Sequence, residues 1–313
     1  MELTIDAVRA AREVIRRHLP PTPMWSYPVL DATAGATVLV KHENTQPVGA
    51  FKVRGGLTLL AALDDPARGT VTYSTGNHAQ SMAYASRVAG APCTVVMPAN
   101  ANPAKVAAVE AWGGDVVLTG ETLADAEEWA TKLAAETGAR LVSPGDTAEL
   151  IAGVGTLYLE ILEARPDLDA IVVPVGSGSG AAAATIVARA LAPDCAIIGV
   201  QSSASPSAHD SWRAGTPMPR PNRTRVEGLA TGRPFELSQR ILRESLTDFL
   251  LVSDDVIAGA ERLMASAAHT LAEGAGAAAL AAVLKQPDRF VGREIAIVCT
   301  GGNASPTELS LLS

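Results

Sequence analysis

Gln46-Pro47-Val48-Gly49-Ala50-Phe51-Lys52-Val53-Arg54-Gly55-Gly56 sets one lysine between an aromatic ring and a second cation, inside a glycine-rich frame. A lysine amine near its reference pKa of ~10.4 is almost wholly protonated at neutral pH. A neighbouring cation or partial burial lowers that pKa and frees the amine to attack carbonyls. Lys52 is therefore a candidate nucleophile, and the rest of the chain decides whether it is one.

The 313 residues are enough for two packed lobes sharing one cleft. Hydrophobic residues make up 48% and aromatics only 4%, so the cores must be built from Ala, Val, Leu and Ile. That mixture suits helices packed closely on a parallel sheet. A formal charge of −8 and a pI near 5.2 argue against nucleic acid, which needs a basic face. Cys93, Cys195 and Cys299 are widely spaced and form no CxxC pair. They read as reduced thiols in a cytoplasmic protein. The five histidines lack ligand spacing, so no metal site is expected. Residues 1–13 contain no signal-peptide core. The charge-free run 170–188 is broken by Pro174 and three glycines, which fits a strand, a turn and a helix start better than a membrane span.

Apolar periodicity predicts a helix over residues 6–18, a strand at 37–41, a loop carrying Lys52 and a helix over 57–63. Strands at 70–73, 93–97 and 116–118 each precede a helix, at 78–89, 103–112 and 123–136, and residues 139–142 close the set. Three β-then-α units in succession imply a parallel sheet covered by helices. A second set holds a helix at 148–163 and strands at 170–175, 196–201, 249–252 and 294–299. An Ala-rich helix follows the glycine loop, and another helix spans 254–272. Residues 202–224, rich in Ser, Pro and Arg, read as an irregular excursion.

Four further turns hold chemistry-bearing residues. Ser74-Thr75-Gly76-Asn77-His78 lies between a strand and a helix, where backbone N–H groups can bind an anion. Taken by itself it reads rather as a plain βα turn with Asn77 as N-cap. Gly176-Ser177-Gly178-Ser179-Gly180 follows a strand and resembles a dinucleotide fingerprint. The ribose-binding acid expected about 20 residues on is missing at Val200-Gln201-Ser202, so a single phosphate is favoured. Thr300-Gly301-Gly302-Asn303 ends a strand with a hydroxyl that can face a heterocyclic nitrogen, or simply solvent. Glu273 in Glu273-Gly274-Ala275-Gly276 is either a buried carboxylate at a helix start or a cap. Together these groups form the protein set that pyridoxal phosphate requires.

With these residues in place, the chain resembles the fold-type II pyridoxal phosphate enzymes, in the serine/threonine dehydratase and serine racemase branch. The resemblance runs from Pro21-Thr22-Pro23 to the final glycine turn. The segments GAFKVRGG, STGNH, GSGSG, EGAGAAAL and CTGGN occur in the family's order. It implies an α/β, two-domain, tryptophan synthase β-like fold with parallel twisted sheets flanked by helices. Residues 1–53 plus 144–313 would form a large cofactor-binding domain, and 54–143 a small substrate-loop domain. Lys52 would hold pyridoxal 5'-phosphate as a Schiff base, with Phe51 flanking the ring. Asn77 would bond the phenolic oxygen. Gly176, Ser177, Gly178, Ser179 and Gly180 would hold the phosphate, and Glu273 would join the cofactor site. Thr300 would face the pyridine nitrogen, and Ser74 to His78 would bind the substrate carboxylate. A homodimer acting on a small amino acid is the implied assembly, with neither nucleic acid nor membrane as partner.

The resemblance also implies a reaction. The freed Lys52 amine removes the Cα proton of a β-hydroxy-α-amino acid such as L-threonine, L-serine or phenylserine, the β-hydroxyl leaves, and a 2-oxo acid and ammonia result. Thr75 stands where racemases of the branch carry a second-face serine, so it is a catalytic candidate beside Lys52. Three alternatives stand: a dehydratase of a hydroxylated diamino acid in hydroxyectoine breakdown, motivated by STGNH with Glu227-Gly228-Leu229-Ala230; a serine- or aspartate-type racemase; and a non-catalytic carrier of the cofactor. Several departures from the family narrow the reading. Ala50 replaces a frequent serine, and Gln201 and Ser207 stand where metal-binding members place acids. Ser143-Pro144-Gly145-Asp146 and Val154 differ from common threonine dehydratases. No regulatory domain is expected after Ser313, and hence no control by isoleucine.

Overall fold

The computed structural model describes residues 2–310. Its strands run in chain order as β1 Met24–Trp25, β2 Thr37–His42, β3 Thr70–Tyr73, β4 Cys93–Met97, β5 Asp115–Leu118, β6 Arg140–Val142, β7 Ala170–Pro174, β8 Ala196–Ser202, β9 Asp248–Val252 and β10 Glu294–Cys299. The chain divides into two compact units, Met1–Leu19 with Lys52–Val154, and Pro20–Phe51 with Gly155–Ser313. The sequence groups residues 1–53 with the large domain and begins the return to it at 144. The structure instead groups the first helix, Ile5–Ile15, with the smaller sheet's unit, where its buried Val8, Ala11 and Ile15 form an apolar stripe.

The first unit holds a four-stranded sheet of order β5-β4-β3-β6, parallel throughout. Its strands are only three to five residues long. The helix Leu123–Thr137 covers it by packing Ala126, Ala130 and Ala134 on Val71, Tyr73 and Val96. Local sequence sets the ends of that helix. Thr122 and Asp125 form a reciprocal capping box, and Gly138 closes the helix at φ 71°.

The second unit holds a six-stranded sheet of order β1-β2-β10-β7-β8-β9, parallel except for β1. Alternate residues Val38, Val40, Val172, Ile198, Ile295 and Ile297 point into one core. The helix Gly274–Lys285 is buried from Gly274 to Val283, and its alanines allow the close approach that the aromatic-poor composition implies. A helix that is apolar all round has no solvent face and must be buried. Cys93, Cys195 and Cys299 are free and buried. Among the described residues, no helix is long and apolar enough to cross a membrane.

Several elements differ from their sequence reading. Lys52 opens a helix, Lys52–Ala61, and does not sit in a loop ahead of one. Gly55 and Gly56 weaken helix propensity and so read as loop. Here they serve helix contact: a Cβ on Gly55 would lie 2.8 Å from the Leu150 carbonyl oxygen, and one on Gly56 2.8 Å from that of Ser81. The excursion at 202–224 contains a helix, Ser207–Ala214, and the helices Pro28–Ala34 and Glu236–Ser245 were not legible. The helix read to residue 272 stops at Ala267, beyond which His269 takes a φ of 51°.

Gly153 is the tightest of the helix contacts, since its Cβ would collide with the Arg54 carbonyl oxygen and lie 2.5 Å from the Thr58 hydroxyl. Gly153→Ala should therefore destabilise the protein by about 1–3 kcal/mol, because a backbone carbonyl cannot swing aside. Denaturant unfolding measures this, and a wild-type midpoint would refute the close-approach argument.

Candidate active site

In the second unit, the turn after β10 grips the segment that leads into Lys52. The Phe51 N–H donates to the Thr300 carbonyl at 3.0 Å, and the Gly302 N–H to the Gly49 carbonyl at 2.9 Å. Ala50 and Gly301 form an antiparallel bridge, and the Asn303 amide donates to the Val48 carbonyl at 2.8 Å. Gly49 turns the chain at φ 66°, in the left-handed region that a side chain disfavours. Thr300 is 5% exposed at the strand end, and Glu273 is 6% exposed. Glu273 occupies the N-cap position of Gly274–Lys285, yet its side chain makes no capping bond there. Its backbone N–H donates to the Gly301 carbonyl at 3.1 Å. Both sequence readings of Glu273 thus hold in part, a carboxylate buried at a helix start and an N-cap by position only.

The loop 176–180 joins β7 to the helix Ser179–Leu191. Gly178 is the N-cap at φ 90°, so the loop's amides stand at a helix N-terminus, where anions are favoured. The loop lies flush against its surroundings. A Cβ on Gly176 would collide with the Gly228 carbonyl oxygen, and one on Gly178 would lie 2.8 Å from the Ser238 Cβ. A Cβ on Gly180 would lie 3.5 Å from the Tyr158 hydroxyl and 3.7 Å from the Phe51 ring. This places Phe51 beside the loop. The Ser177 and Ser179 hydroxyls lie 3.5 Å apart. The glycines' Cβ positions are filled by their surroundings, so the loop offers a ligand its backbone together with the Ser177 and Ser179 hydroxyls, a set that suits a phosphate.

In the first unit, Lys52 is part-buried, and its Nζ donates to the Pro144 carbonyl at 3.3 Å. Loss of water pushes its pKa down to about 7. The segment 74–78 follows β3 and opens the helix Asn77–Ala89, so Asn77 is the first helical residue and Gly76 the cap. The Ser74 hydroxyl accepts from the Gly76 N–H at 3.2 Å. Ser74, Thr75, Gly76 and Asn77 are half-buried, while His78 is 4% exposed. Burial first, and the Lys52 charge second, push the His78 imidazole down to about 3. Thr72 donates its one proton to the Val142 carbonyl at 2.7 Å, so its oxygen accepts from His78 Nε2 at 2.9 Å. His78 is thereby the neutral Nε2–H tautomer.

Sequence reasoning missed three contributors. The Pro144 carbonyl was read only as part of a divergent segment. Tyr158 is fully buried behind Gly180, and its pKa is raised by burial and then by the charge of buried Glu43, so it stays a phenol. Thr72 sits mid-strand, where nothing in the pattern marks a hydroxyl that orients a histidine. The Gln201 and Ser207 side chains are engaged elsewhere, the latter donating to the Met218 carbonyl at 3.0 Å. Among the described residues, no group of three or more His, Cys, Asp or Glu is placed to hold a metal.

A family model described as pyridoxal-phosphate dependent enzyme matches residues 15–301. The L-threonine ammonia-lyase of Thermotoga maritima is 34% identical over 304 residues, covering 96% of this chain and 76% of its own. The L-threo-3-hydroxyaspartate ammonia-lyase of Saccharomyces cerevisiae is 33% identical over 303 residues, covering 96% and 93%. The structure of maize serine racemase superposes with a TM-score of 0.94 at 31% identity, covering 99% of this chain and 96% of that one. The chain belongs to the pyridoxal-phosphate dependent enzyme family, as a fold-type II member whose cofactor is pyridoxal 5'-phosphate. The glycine cradle, the helix N-terminus and a lysine of depressed pKa fit that group.

A lowered lysine pKa means the neutral amine predominates above about pH 7. In the cofactor-free protein, trinitrophenylation of Lys52 by trinitrobenzenesulfonate, with sulfite as the leaving group, should rise with a midpoint near pH 7, as followed by peptide mapping. A midpoint near 10, the value of an exposed lysine, would show that burial does not tune it.

Proposed function

We propose that this protein is an ammonia-lyase that removes the β-hydroxyl of a β-hydroxy-α-amino acid and releases a 2-oxo acid and ammonia. The observation that carries the reading is Lys52, an amine poised near pKa 7 by burial and held by a backbone carbonyl. An amine in that range changes protonation state at neutral pH, as a proton carrier must. Kinship with threonine and hydroxyaspartate ammonia-lyases supports the substrate class.

Bound pyridoxal phosphate supplies the electron-withdrawing group that makes the substrate Cα–H acidic. The chain's own residues do the rest. Gly176 to Gly180 would hold the phosphate through loop amides and the helix N-terminus, with Phe51 limiting the space beside that loop. Asn77 would donate to the phenolic oxygen, and Thr300 would offer the ring nitrogen a neutral hydroxyl. Glu273 lines the same end of the unit, where β10 and the helix Gly274–Lys285 meet. Amides of Ser74 to His78 hold the substrate carboxylate, with Thr75 supplying a hydroxyl. Lys52 Nζ, as the neutral amine, takes the Cα proton. The β-hydroxyl takes up a proton, which balances the one removed from Cα, and leaves as water. The enamine that remains tautomerises and takes up water, giving the 2-oxo acid and ammonia. His78, neutral at working pH, adds no positive charge that would hold Lys52 deprotonated, so burial alone sets its basicity.

Purified protein should carry the visible band of lysine-bound cofactor, and Lys52→Ala should lose it together with at least about 10³-fold of turnover. A panel of threonine, serine, 3-hydroxyaspartate, phenylserine and a hydroxylated diamino acid, read by 2-oxo acid release, selects the substrate. No 2-oxo acid from any of them would overturn the reading. Inversion at Cα without 2-oxo acid would identify a racemase.

A further inference from the structure

Two side chains of the second unit, Gln201 and Thr231, form a directed chain of hydrogen bonds that ends on the loop 176–180. Gln201, at the end of β8, is fully buried. Its Oε1 accepts from the His209 N–H at 3.0 Å, inside the helix Ser207–Ala214. That bond fixes which way the amide faces, because a backbone N–H needs an acceptor. The other end, Nε2, therefore donates, and it meets the Thr231 hydroxyl at 3.4 Å. The Thr231 hydroxyl donates its single proton to the Gly176 carbonyl at 3.3 Å. The Ser205 hydroxyl holds the same residue from behind by donating to the Thr231 carbonyl at 3.0 Å. Every group in the relay is neutral, and each bond has one direction.

Gly176 is the first residue of the loop, and its peptide is trans, as are all those described. In a planar trans peptide, the carbonyl of one residue and the N–H of the next point in opposite directions. Fixing the Gly176 oxygen toward Thr231 therefore aims the Ser177 N–H away from it. A Cβ on Gly176 would collide with the Gly228 carbonyl oxygen, so the backbone is closely packed on that side. We propose that Thr231, oriented by Gln201, is a positioning residue that sets the direction of the Ser177 N–H as a phosphate donor. The proposal rests on the reading of residues 176–180 as the phosphate cradle.

The test is cofactor binding to the apoprotein, followed by quenching of tryptophan fluorescence, with pyridoxal 5'-phosphate and pyridoxal compared side by side. Thr231→Val keeps the shape and removes the hydroxyl. It should weaken pyridoxal phosphate about 5- to 20-fold while leaving pyridoxal, which lacks the phosphate, unchanged. Thr231→Ser should restore wild-type affinity. Thr231→Ala provides the same deletion should the valine variant fail to fold. Equal losses for both ligands, or no loss for either, would overturn the positioning role. Gly176→Ala separates the two layers of the argument. If that variant binds pyridoxal phosphate as well as wild type does, the cradle reading itself falls, and the relay with it.

Discussion

The Phe51 N–H bonded to the Thr300 carbonyl, and the Gly302 N–H bonded to the Gly49 carbonyl, join two segments far apart in the sequence. Lys52 is the residue that follows. Each such bond contributes only about 1 kcal/mol net. Their value lies in register, because together with the Asn303 amide on Val48 they leave the segment one conformation. The turn after β10 thus serves two purposes. It presents the Thr300 hydroxyl, and it fixes the backbone that delivers Phe51 and then Lys52. This explains why a loop of two glycines, poor in side chains, stands at that strand end: Gly301 accepts from the Glu273 N–H and pairs with Ala50.

The chemistry of Lys52 follows from its loss of water. The cause of its lowered pKa is desolvation, with the Pro144 carbonyl accepting from the amine. A buried carboxylate partner would have raised the pKa and kept the amine charged. His78 is held neutral by the same burial, and Thr72 fixes its tautomer. The loop 176–180 is likewise supported by neutral groups, the Gln201 amide and the Thr231 hydroxyl. Elsewhere in the second unit the buried Lys41 ammonium is paired with the Glu160 carboxylate.

The ordered motifs were legible because each is local. A strand followed by a glycine turn and a helix start is encoded within ten residues, and β3, β4 and β10 appear at their expected positions. Short elements that depend on distant partners were not legible. β1 is two residues long and exists through its pairing with Lys41 and Val40. The helix Ser207–Ala214 lies in a Ser- and Pro-rich stretch, and its hydroxyls find partners such as the Met218 carbonyl only in the folded chain. The helix opened by Lys52 was hidden by Gly55 and Gly56, which read as a loop and are in fact the faces of tight helix contacts.

The sequence by itself determined the kind of chemistry: a lysine, a glycine cradle, an amide and a hydroxyl, set in a succession of βα units. These are properties of residue type and spacing, and both survive without coordinates. The tertiary structure alone decided the state of those groups. Desolvation of Lys52, the tautomer of His78 and the direction of the Gly176 carbonyl each depend on atoms supplied from far along the chain: Pro144, Val142 and Thr231. A pKa or a hydrogen-bond direction is a property of the surroundings, and the surroundings exist only once the chain has folded.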